Sequence, residues 1–135
     1  MKKQEIFNKC LNGLRNQDWR RSRGTLSCLY QSGNGDRCAI GHLLSDEELE
    51  YVKKRNLNSM PVKDIIDQVP SFCEKIYSDT DEKPSDIVDL LELLQDWHDN
   101  SLLSSGGLNE EAYKKLNSIA CAHWVQIPEK VKVTA

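Results

Sequence analysis

Five cysteines and three histidines hold whatever nucleophilic or metal chemistry this 135-residue chain could perform. The densest grouping runs from Cys28 and Tyr30 to Cys38-Ala39-Ile40-Gly41-His42, with His98 and His123 standing far downstream. Thiolates and imidazoles are the ligands zinc prefers, and four of them must converge as a tetrahedron. Cys28, Cys38, His42 and one of His98 or His123 would make such a set. The Cys38-x3-His42 spacing suits it. Cys28 and Cys38, however, lack the short spacing of a zinc knuckle, and a free cysteine is among the most readily buried residues. The expectation is therefore no cofactor, with zinc as the alternative these ligands would allow.

A second chemistry would use Cys38 as nucleophile, with His98 or His123 as base and Asp99 as orienting group. That role needs a thiolate. Nothing in the sequence places Cys38 at a helix N-terminus, where a thiolate is favoured. Both downstream histidines fall near helix C-termini, where the dipole favours the protonated ring. His98-Asp99 also has the form of a metal phosphohydrolase dyad, but that chemistry needs more histidines than this chain carries. No catalytic residue is assigned, and a non-enzymatic role is favoured.

Charge is unevenly distributed. Residues 1–23 carry seven basic and two acidic groups, residues 24–55 sum to −1, and residues 56–135 carry seven basic and fourteen acidic groups, within a total of −3. The basic head includes Arg15 and the run Trp19-Arg20-Arg21-Ser22-Arg23. Arginines there could grip phosphate while Trp19 stacks on a base, which makes nucleic acid a possible partner. The same run could instead strap onto the acidic body, which would repel a nucleic acid elsewhere. The acidic body includes Asp79, Asp81, Glu82, Asp86, Asp89, Glu92, Asp96 and Asp99. Asp89, Glu92 and Asp96 fall on the polar face of one helix and are the candidates for meeting a basic partner or mimicking DNA.

These residues must be positioned by a mostly helical chain. Ile6, Phe7, Cys10, Leu11 and Leu14 recur at helical spacing over 3–17. Ser45 and Glu48 form a capping box before a helix over 46–55. Met60-Pro61 opens a short helix to about 68, and 71–77 is a further turn or helix. Ser85 caps a strong helix over 86–98, with Ile87, Leu90, Leu91, Leu94, Trp97 and His98 on one face. Asn109 caps the last helix, 110–124, whose apolar face reads Tyr113, Leu116, Ile119, Ala120, His123 and Trp124. Between the first two helices, Thr25–Gln31 is β-like and Ser32–Asp36 is dense in turn formers, which predicts a hairpin returning through Arg37–Leu44 or bending tightly there. Leu11, Leu14, Leu90, Leu91, Leu94, Leu116 and Ile119 are the expected core.

Several of these segments resemble a small uncharacterised family found in phages and bacterial genomes. The resemblance rests on Tyr30, the Gly35-Asp36-Arg37 turn, Cys38-Ala39-Ile40-Gly41 and the following Leu43-Leu44-Ser45-Asp46-Glu47. Family members show a Y-x-x-x-G-x-x-C-A-I-G-x-L-I-P-D-E core. A later L-Q-x-x-H-D is matched by Leu94–Asp99, and a terminal I-A-x-x-H by Ile119–His123. Tyr30 stands one residue farther from Gly35 than that pattern has. Ser45 replaces the proline, and Trp124 occupies the place of a common glycine. The resemblance implies a phage or mobile-element origin and no particular activity.

The sequence thus predicts a mainly α (α+β) protein, with about five helices and one β-hairpin near residues 25–44. One globular domain spans 1–126, and 127–135 form a frayed tail or an edge strand. Met1–Cys10 is polar and charged, and no apolar run reaches membrane-spanning length, so a cytoplasmic protein of a bacterial or infected host cell, with reduced thiols and no membrane partner, is expected. The leading functional reading is an accessory protein that binds another protein of the host or bacterium, as a modulator or inhibitor of a host or defence system. Nucleic-acid binding through Trp19, Arg20, Arg21 and Arg23, and a zinc-binding or Cys/His-dependent enzyme, are the alternatives. The oligomeric state is left open.

Overall fold

The computed structural model describes residues 1–22, 29–103 and 105–134. Among them the chain is mainly helical, with α1 (Lys3–Asn16), α2 (Asp46–Lys54), α3 (Val62–Gln68), α4 (Pro70–Tyr77), α5 (Pro84–Ser101) and α6 (Glu110–Ala122). No helix among the described residues is long and apolar enough to cross a membrane.

The helix starts follow local chemistry. The Ser45 hydroxyl accepts from the Glu48 backbone at 3.1 Å, and Glu48 accepts from the Ser45 backbone at 2.9 Å, which completes the capping box of α2. Asn109 Oδ1 accepts from the Ala112 N–H at 2.8 Å and caps α6. Proline in the first turn opens both α4 and α5. Glu48 does more than cap. It also accepts from Ser71 Oγ at 2.7 Å and from Lys75 Nζ at 2.5 Å, pinning α2 to α4.

α5 is the centre of the fold, packed against α6, α3 and a 3₁₀ turn at Ile40–Leu43, and α1 also packs on that turn. Leu11, Leu14, Leu90, Leu91, Leu94, Leu116 and Ile119 are all buried, as their helical spacing predicts.

Three expectations need correction. There is no sheet among the described residues, where a hairpin was expected. Residues 29–44 form a tight turn closed by a single antiparallel bridge, Gln31–Arg37, and then coil into the 3₁₀ turn. The bridge rests on two backbone bonds, from Ser32 N–H to the Asp36 carbonyl at 2.9 Å and from Cys38 N–H to the Tyr30 carbonyl at 3.2 Å. Side chains take up other backbone groups of the turn: Asp36 N–H donates to Asn34 Oδ1 at 3.0 Å, and Ser22 Oγ donates to the Asp36 carbonyl at 2.9 Å. Such side-chain bonds compete with a longer strand ladder. Gly41 then lets the chain fold back, because a Cβ there would lie 2.1 Å from the Tyr30 carbonyl oxygen. Residues 25–28, expected to begin the hairpin, lie outside the described residues. Second, six α-helices replace about five, because 70–77 is a full helix. Third, the segment after Ile127 is docked: Val131 is 2% exposed, and Thr134 donates to the Leu108 carbonyl at 2.8 Å and accepts from the Leu108 N–H at 2.9 Å.

Candidate functional site

The fold brings most of the cysteine and histidine motif to the C-terminal half of α5, and seals it. Cys38 is fully buried, and its sulfur accepts a hydrogen bond from the Gly41 N–H at 3.3 Å. Burial pushes its thiol up to about 12, so it is protonated at neutral pH. Gln95 ties the 3₁₀ turn to α5: its Oε1 accepts from the Ile40 N–H at 3.4 Å, and its Nε2 lies 3.2 Å from both carboxylate oxygens of Asp99. His98 is fully buried beside them. Its Nε2 lies 3.3 Å from the Arg20 carbonyl oxygen. Its Nδ1 is 3.4 Å from Asp99 Oδ1 but makes no hydrogen bond.

His42 lies half-buried in the same region. Its Nε2 lies 3.0 Å from Gln17 Oε1. Burial, with the nearby charges of Arg37 and His98, pulls its pKa from the ordinary 6.5 down to about 4. The neutral ring donates to Gln17, whose amide is used at both ends. Gln17 Nε2 donates to the carbonyls of Arg20 at 2.7 Å and Arg37 at 2.6 Å, and Oε1 accepts from the Arg37 N–H at 2.9 Å. Gln17 is thus the hub that joins the end of α1 to the turn. Its sequence signal, a glutamine at a helix terminus, is too common to have singled it out.

Among the described residues, the candidate nucleophile, base and metal ligands are not gathered at one point. Neither nitrogen of His98 is bonded to Cys38, and the buried thiol has no thiolate to offer. His123 stands apart, with Nε2 at 2.7 Å from Asp89 Oδ2, nearer the other end of α5. Cys28 lies outside the described residues. Among those described, no three His, Cys, Asp or Glu side chains gather as a metal-ligand group.

Part of the basic run is tied back onto the fold, although the Arg20 side chain stays largely exposed. Trp19 is 4% exposed and packs edge-on against Trp97, with ring centroids 6.3 Å apart, so no base can reach its face. Arg20 makes a two-point contact with Asp36 at 2.9 and 3.1 Å, and that guanidinium holds the Asp36 carboxyl below the usual range. Arg21 Nε donates to the Leu102 carbonyl. Arg23 lies outside the described residues.

The outward face is different. Asp89, Glu92 and Asp96 are exposed along one side of α5, as their spacing predicts. Beside Asp89, the bond to His123 fixes the end of α6. The next residue, Trp124, was expected on the buried face and is instead 94% exposed. The reason is geometric. α6 stops at Ala122, so the helical period no longer governs Trp124, whose φ of 56° swings the indole outward. Val125, which follows, returns to the core. An open cleft of about 350 Å³ adjoins the indole, lined in part by Lys3, Thr80, Glu82, His123 and Val125. Compared with family models, curated proteins and solved structures, the chain matches none.

Proposed function

We propose that this chain is a small accessory protein of the phage or mobile-element type, which acts by docking on another protein of the host or bacterium as a modulator or inhibitor. The phage setting comes from the motif resemblance alone. The docking reading is carried by one observation: residues 79–99 hold eight acidic groups against one lysine, a net −7 within a chain of −3, and Asp89, Glu92 and Asp96 of that segment stand exposed on α5. A one-signed face of this kind steers and orients a partner of opposite charge, and it repels phosphate backbones. The buried Cys38 thiol and the His42 and His98 imidazoles support the same reading, since they contribute to packing and to the hydrogen-bond network around the turn.

The test is affinity capture from bacterial lysate with the wild-type protein and with the triple variant Asp89→Lys, Glu92→Lys, Asp96→Lys, compared by quantitative mass spectrometry. A protein retained at least about tenfold better by the wild type is expected, the scale on which juxtaposed like charges act at an interface. Identical recoveries from the two baits would defeat the proposal.

A further inference from the structure

We infer that Trp124 is the anchor of the docking face and that it receives a cationic side chain, arginine by preference, from a basic segment of the partner protein. This deepens the docking reading above and rests on it.

Three observations converge on this indole. The first is exposure: at 94% it is the most exposed of the large apolar residues described, whereas Trp19 and Trp97 are buried in the core. The second is backbone conformation. Trp124 sits just past the end of α6 with φ at 56°, in the left-handed region that glycine occupies at little cost and that a bulky side chain occupies at a penalty. Its neighbours hold it there. The Val125 N–H donates to the Ala120 carbonyl at 3.0 Å, and His123 is clamped by Asp89 at 2.7 Å. The indole is therefore displayed from a fixed base, which lowers the entropy lost when a partner settles on it. The third is charge. Asp89 is bonded to His123, the residue just before the indole, and Asp81 and Glu82 line the adjoining cleft together with Lys2 and Lys3. Lys3 pairs with Glu82 at 3.3 Å and Lys2 offsets Asp81, so the excess acid on this side of the molecule is that of Asp89, Glu92 and Asp96 on α5.

An exposed tryptophan beside carboxylates is suited to a guanidinium, which stacks on the ring face while its N–H groups reach the acids. Tryptophan and arginine are also the residues that most often dominate binding energy at protein interfaces. Asp89, Glu92 and Asp96 would then orient the rest of the segment along α5.

A fluorescein-labelled hexa-arginine peptide tests this in low-salt buffer, read by anisotropy and, with unlabelled peptide, by tryptophan emission. The wild type is expected to bind with a change in emission that Trp124→Ala abolishes. Affinity should fall at least about fivefold in Trp124→Ala and less in Trp124→Phe, which keeps a ring face. Equal affinity of wild type and Trp124→Ala, with loss only in the Asp89→Lys, Glu92→Lys, Asp96→Lys variant, would overturn the role of the indole and leave acidic docking standing. No binding to the wild type at millimolar peptide would overturn the basic partner, and the lysate capture then decides separately whether the chain docks on protein at all.

Discussion

The chain carries two adjacent tryptophan–histidine pairs, and they meet opposite fates. Trp97 and His98 lie within α5, both buried, with the Trp97 indole N–H donating to the Ala112 carbonyl at 2.8 Å and its ring against Trp19. His123 and Trp124 follow the end of α6, and there the histidine is buried while the tryptophan projects into solvent. Residue type does not separate the pairs. The first falls at positions where helical periodicity points at the core. The second falls where the helix has ended and a left-handed residue reverses the direction of the side chain. One end of the molecule uses its aromatic and titratable groups to lock a turn, and the other leaves an aromatic group available for contact.

The sharpest test of this contrast is truncation of each indole. Trp97→Ala is expected to lose about 3–5 kcal/mol in urea denaturation, as full burial and a satisfied N–H require, whereas Trp124→Ala should stay within about 0.5 kcal/mol of wild type. Similar losses at both positions would erase the distinction.

Gly41→Ala should cost about 3 kcal/mol in thermal or urea melts, since the new methyl must displace the Tyr30 carbonyl and open the turn over Cys38. A neutral substitution there would mean that the sealed end is loosely built. Thiol labelling in the native protein provides a further check. Exposed Cys121 should react at least about 100-fold faster than Cys38 or Cys10, whose thiols burial pushes up. Rapid labelling of Cys38 would reopen the nucleophile reading.

The next expected effect is on pH dependence. His42 has a folded pKa of about 4 against an ordinary 6.5, so the unfolded chain takes up the proton first. Its contribution is complete above about 6.5, declines as the pH falls below that, and is exhausted near 4, a loss on the order of 3 kcal/mol. Asp36 and Glu48 have depressed carboxyl pKa values, Asp36 through its bonds to Arg20. For Glu48, burial works the other way and is outweighed by bonds from Lys75, Ser45 and Ser71. Their contributions are present above the ordinary carboxyl range and fade below it, in a more acidic window. Stability profiles of His42→Gln should therefore lose the slope nearer neutrality and keep the acidic one. The smallest effect is at the exposed end, where Trp124→Gly should gain up to about 1 kcal/mol by relieving the left-handed backbone. A loss there would show that the indole packs against its own chain.

Much of the helical framework was legible, because it rests on short-range rules. The Ser45–Glu48 box, the Asn109 cap and the apolar spacing of α1, α5 and α6 act over a few residues and can be read along the chain. The hairpin was misread because Ser32, Asn34 and Asp36 satisfy the turn locally, and because Gly41 allows a backbone approach that depends on where Tyr30 lies. The chemistry-capable residues were partly legible as a motif. Burial could be anticipated, because His98 falls on the apolar face of its helix and a free cysteine buries readily, but whether the residues would converge could not.

What the sequence determined by itself is the helical core and the acidic segment, since periodicity, capping and charge are properties of neighbouring residues. What only the tertiary structure decided is how distant segments meet: that Trp19 is covered by Trp97, that Arg20 pairs with Asp36, that Cys38 is sealed, that Gln17 joins four backbone and side-chain groups, and that Trp124 stands outside. Burial depends on which distant segments cover a residue, and for these positions the covering groups come from other helices and from the turn, at separations no local pattern encodes.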